Sequence, residues 1–243
     1  MKKLLAFFVV VLMVSACTES HSQVISSKEK TDYSSIQFND RFDNPLKKGV
    51  WDSLFKYHEA VFAPVYLGDV KPEIKLIYKP ELTGNRIDAL EEWEVPFEND
   101  TEGRILKNPT DSTLLITVDT DRIIGYPMYL WEYYKTPEYR QGIMSYPVFV
   151  ENTSDDTLKI GLGDVLPITI EAKGRDGQWH ELYRNFIYEC GTGLLDIYLA
   201  PHQIAVVAMP VCKGTFRTEL RLGYCISRDK RIYSNVFEGF INQ

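Results

Sequence analysis

Histidine and cysteine are scarce in this chain, with four of each among 243 residues. None of the cysteine spacings is C-x-x-C, and no Cys/His set has the spacing of zinc ligands, which argues against a structural zinc site. The G-x-S-x-G elbow of serine hydrolases is missing. A nucleophile needs a base within reach and an acid to orient it. His21, His58, His180 and His202 fall in separate stretches. Cys190 with His180 or His202 is a conceivable nucleophilic pair, but one that so few residues offer by chance. Basic tracts are lacking as well. Lys and Arg number 27 against 34 Asp and Glu, a formal net charge of −7. A net acidic chain with no basic tract argues against nucleic acid as a partner, since such binding rests on neutralising phosphates with Lys and Arg. No hydrophobic run is long. Leu4 to Val14 is 11 residues, about 16 Å as a helix, roughly half the hydrocarbon core of a bilayer. That is too short for a lasting transmembrane span.

Acidic residues are plentiful, and two questions follow. Asn152 to Asp156 and Asp119-Thr120-Asp121 offer oxygen ligands for calcium, but neither has the Gly at position six or the closing Glu of an EF-hand loop. Asn and Asp are also the residues that β-turns prefer, so turns are expected there, with no metal and no cofactor. Asp119, Asp121, Glu132 and Glu138 could supply the carboxylate pair of a glycoside hydrolase. Abundance in an acidic protein says little about separation in space, and an envelope hydrolase ranks as the third functional reading.

The start of the chain is the most specific stretch. Met1-Lys2-Lys3 is cationic, the apolar run follows, and small residues lead into a cysteine, the order of a secretory signal. Val14-Ser15-Ala16-Cys17 resembles the lipobox of bacterial lipoproteins. The resemblance implies that residues 1–16 are removed and that the Cys17 thiol carries a diacylglycerol, so the protein is held to a membrane through that lipid. It leaves 227 of the 243 residues, and without Lys2 and Lys3 the formal charge becomes −9. Thr18 follows the cysteine where lipoproteins retained at the inner membrane often have Asp. The expected location is therefore the cell envelope, outer membrane ahead of inner. Residues 17–35 hold six serines and little that is apolar, the composition of a tether reaching on the order of 23 Å.

The apolar fraction of 44%, with 15 Tyr and 12 Phe, is ample for a core. Residues 36–143 read as a β-rich N-terminal region with one short helix. Trp51, Leu54, Phe55, His58, Val61 and Phe62 recur at helical spacing. Val65-Tyr66-Leu67 and Ile74/Leu76/Tyr78 read as strands, as do Thr113–Asp119 and Arg122–Trp131, and a long acidic connection precedes the last two. Residues 144–243 contain seven short runs, at 144–151, 157–162, 166–173, 178–184, 204–211, 215–226 and 231–240. Seven short strands at about ten-residue spacing are the pattern of an antiparallel Ig-like β-sandwich, which the earlier strands could also join. Two hairpins are expected to close at Asn152–Asp156 and Gly174–Gly177. A third is expected at Lys213-Gly214, with Val211 facing Phe216, Met209 facing Thr218 and Val207 facing Leu220. In that register the apolar residues share one face, while Arg217, Glu219 and Arg221 collect on the other.

That register sets Cys212 and Cys225 about 30 Å apart, beyond disulfide reach. Cys190 is then the candidate partner for either, with three unpaired thiols as the alternative. The richest aromatic stretch is Tyr126 to Tyr139, five Tyr and one Trp in 14 residues. Trp131, Tyr133 and Tyr134 could form a platform for a sugar ring or a protein anchor; packing at the junction of the two halves is the plainer reading. Lacking a catalytic motif, the chain reads first as a non-enzymatic, lipid-anchored binding or assembly module with an envelope protein as partner. Glycan binding through these aromatics ranks second.

Overall fold

The computed structural model describes residues 31–39, 50–51, 62–76, 105–126, 143–163, 165–182 and 196–242. By contact the chain falls into two units, Met1–Ser35 and Ile36–Gln243, and among the described residues every strand lies in the second. The fold is mainly β, an antiparallel sandwich, with no helix among the described residues.

The first sheet is built around the most apolar strand. Every residue of β12 (Ile204–Pro210) is buried, and a run apolar at all positions marks a strand covered on both faces. It lies between β3 (Pro64–Gly68) and β7 (Ile143–Asn152), and β7 in turn carries β5 (Leu114–Val118) and β6 (Ile124–Tyr126) end to end on its far edge. Pro147 sits inside β7, where a missing N–H would ordinarily break a ladder. Its carbonyl, which accepts from Asp119 N at 3.0 Å, points to the β5/β6 edge, and the register passes from Ser145 on β6 to Val148 on β5 across it. The absent donor therefore falls in the gap between two partner strands.

The second sheet runs β10 (Trp179–Glu181), β9 (Ile168–Lys173), β14 (Phe216–Cys225), β15 (Arg231–Tyr233), with β16 (Phe237–Ile241) also on β14. Leu220, Leu222, Tyr224, Ile170 and Phe237 are buried on its inner face. Opposite them lie Val148, Val150, Ile116 and Val207 of the first sheet, which share a face by register. The Tyr146 and Phe237 rings meet edge to face at 6.1 Å between the two sheets. A fully buried Ile or Leu here contributes about 1.5–3 kcal/mol. On the other side of the first sheet Phe149 is covered by Phe38 of β1 (Gln37–Asn39), stacked at 6.0 Å. β1 pairs in parallel with β4 (Glu73–Lys75). β8 (Leu158–Leu162) pairs with β11 (Asp196–Leu199), and β2 (Val50–Trp51) with β13 (Cys212–Lys213).

Most strand positions in the last hundred residues follow the sequence pattern, but β11 falls between the expected runs at 178–184 and 204–211, and two of the three expected hairpins do not form. Strands 204–210 and 216–225 belong to different sheets, so the register through Lys213-Gly214 is wrong. Both edges of β12 are occupied by β3 and β7, which leaves none for β14. The chain instead crosses between sheets at Gly214, where a Cβ would lie 2.0–2.4 Å from the backbone of Ile241. The face assignment survives, because it depends on alternation within β14 and not on its partner. The turn at Asn152–Asp156 likewise leads away from β7, whose edges are also filled, and β8 pairs with β11. The Gly174–Gly177 hairpin does form, with Gly177 at φ 76° and Gly174 N–H donating to Gln178 O at 2.7 Å. Trp51 is in a strand; the remainder of the expected helix, 52–61, lies outside the described residues. β3, β5 and β6 share a sheet with β7 and β12, so the strands before residue 143 and those after it build one sandwich. The stretch expected as one strand over 231–240 is interrupted at 234–236. There Asn235 accepts from Val118 N at 2.7 Å and donates to Val118 O at 3.0 Å, tying the break in the second sheet to the rim of the first.

Asn235→Ala removes both bonds and leaves a buried strand end unpaired, which should cost about 2 kcal/mol. Asn235→Asp keeps an acceptor for Val118 N and loses the donor, so its denaturation midpoint should fall between wild type and alanine. An alanine variant that unfolds at the wild-type denaturant concentration would show that the tie is not a constraint on the sandwich.

Candidate functional site

The outer face of the second sheet carries the densest arrangement of charged and aromatic side chains among the described residues. Strand alternation puts Glu171 and Lys173 of β9, Trp179 and Glu181 of β10, Arg217, Glu219 and Arg221 of β14, and Arg231 and Tyr233 of β15 on this side. Glu171 is at the centre, with its side chain only 4% exposed. A carboxylate so placed must be paired and hydrogen-bonded, and two arginines do this. Arg221 donates from Nε at 2.8 Å and Nη2 at 2.7 Å to Oε2, and Arg231 donates to Oε1. The second branch of Arg231 reaches Glu181.

Arg231 can span from β15 to β9 and β10 because β14 presents Gly223 in its path. A Cβ there would approach Arg231 Cδ to 3.1 Å. Burial pulls the Arg231 guanidinium down, but the bonds and charges of Glu171 and Glu181 outweigh it and hold the group above its ordinary range. Arg221 is gripped from both sides, its guanidinium carbon 4.2 Å from the Trp179 ring centroid and 3.7 Å from that of Tyr233. Such stacking contributes about 0.5–2 kcal/mol per ring and fixes the plane of the guanidinium. The surrounding charges pair as well, Lys173 with Glu219 at 2.7 Å and Arg217 with Glu238 at 2.5 Å. Four cations meet four carboxylates, so the face is locally neutral on an acidic chain. Its side chains hold one another through these pairs and stacks, and Tyr233 and Phe240 remain 44% and 48% exposed beside it.

Sequence reasoning found one strand of this face, Arg217/Glu219/Arg221, and missed the rest. Opposite charges alternate at Glu171/Lys173 too, and an aromatic alternates with a charge at Trp179/Glu181 and Arg231/Tyr233, but that these meet Arg221 depends on the neighbour order β10-β9-β14-β15, which no local pattern encodes.

The other expected sites are dispersed. Cys17, Trp131, Tyr133, Tyr134, Glu132, Glu138, Cys190, His21 and His58 lie outside the described residues. Cys212 is buried, with Sγ–H donating to Pro210 O at 3.8 Å, and Cys225 is half-buried, donating to Gly223 O at 3.9 Å. His180 of β10 pairs with Asp176 in the preceding turn at 2.9 Å, and His202 with Asp155 at 3.1 Å, all four residues being exposed. The His180 hydrogen bond, with that of Gln178 N, holds the Asp176 carboxyl below its usual range. Asp119 accepts from Asp121 N and Arg122 Nε, the bonding of a turn. Asn152 is wholly engaged with its own loop and its neighbours. No group of three or more His, Cys, Asp or Glu is placed to hold a metal among the described residues. Compared with known proteins, the chain matches no family model, and no curated protein or solved structure is significantly similar to it.

Proposed function

We propose that this protein is a lipid-anchored component of the cell envelope that acts without catalysis, as a binding or assembly module. Anchoring rests on Val14-Ser15-Ala16-Cys17, with Thr18 favouring the outer membrane over the inner. The observation that carries the binding role is the Arg221 guanidinium stacked between Trp179 and Tyr233 over the paired Glu171–Arg231–Glu181 cluster. Trp, Tyr and Arg are the residues that dominate protein–protein binding energy. A face whose charges are already paired and whose rotamers are already held has less order left to lose on association. A protein partner is therefore the best fit.

Cys17→Ser should shift the protein from the membrane fraction to the soluble fraction, or leave an uncleaved precursor of lower mobility. Unchanged partitioning and mobility would remove the anchor. Crosslinking of the native protein in intact cells should capture a reproducible envelope protein, and Tyr233→Ser should reduce that capture at least several-fold while the melting temperature stays near wild type. Capture that Tyr233→Ser leaves intact would move the docking surface elsewhere, and no capture above background would overturn the partner reading.

A further inference from the structure

We draw no further inference here: the strongest candidate, the shallow cleft of about 280 Å³ at the end of β8 and β14 lined by Lys159, Pro167 and Cys225, has its lysine paired with Asp196 at 2.5 Å and otherwise rests on a lone cysteine, with nothing in the structure to say what would fill it.

Discussion

Asn152→Ala is expected to destabilise the sandwich by about 4 kcal/mol, more than the loss of any one ion pair on the outer face. The side chain is 0% exposed. Its Nδ2 donates to Asp156 O at 2.7 Å, Ala200 O at 3.0 Å and Leu199 O at 3.1 Å, and its Oδ1 accepts from Ser154 Oγ at 2.7 Å and Ser154 N at 3.0 Å. One amide thus joins the end of β7, the turn that follows it and the end of β11. Truncation leaves several buried polar groups without partners, and each unsatisfied group costs about 1–3 kcal/mol. For a domain of this size the loss corresponds to a fall of about 10 °C in melting temperature. Asn152→Asp should be as severe despite its similar shape, because an ionised carboxylate only accepts and would face three carbonyl oxygens. Ser154→Ala, which removes one bond of the set, should cost about 1 kcal/mol. If Asn152→Asp melted with the wild type, the amide donor would not be what holds this corner.

Glu171→Ala should cost about 3 kcal/mol, because it removes the shared carboxylate from two arginines whose side chains are 20% and 19% exposed. Arg231 would keep Glu181, and Arg221 would keep its two rings, which is why the expected loss stays below that at Asn152. The informative control is the triple variant Glu171→Met, Arg221→Met, Arg231→Met. Replacing buried ionic groups together by apolar residues is frequently neutral or stabilising, and Glu181, left without Arg231, is 33% exposed and can be solvated, so the triple variant should regain most of the stability lost by Glu171→Ala. It should at the same time abolish partner capture in the crosslinking experiment. Recovery of stability with loss of capture would separate the two roles of the cluster; recovered stability with full capture would leave it as a structural brace alone.

The class of fold and the extent of most strands were legible in the sequence. Alternation at Leu158/Ile160/Leu162 and Leu166/Ile168/Ile170/Ala172, and the uninterrupted Ile204–Pro210, report burial of each strand's own faces. That information is local, since a side chain's period along a strand does not depend on which strand lies beside it. The Gly174–Gly177 hairpin was legible for the same reason, its turn chemistry being contained in four residues.

Strand partnership was not legible. Lys213-Gly214 between two apolar strands looks like a hairpin turn, and the pairing it suggests places apolar opposite apolar. Any two strands with one apolar face would match as well. The choice was made by competition for edges: both edges of β12 are filled by β3 and β7, and the glycine serves a close crossing over Ile241 instead. The outer-face cluster lay beyond reach for a related reason. Arg221 and Arg231 are separated by 50 and 60 residues from Glu171 along the chain, and Gly223 matters only because a side chain from another strand passes over it.

By itself, then, the sequence determined the extent of most strands and which of their faces are apolar, because each of these is set by neighbours a few positions away. The order of strands, the crossing between sheets and the Trp179–Arg221–Tyr233 grip were decided only in the tertiary structure. They follow from which edges remain unfilled once the most apolar strand has been buried, and that is a property of the whole chain at once.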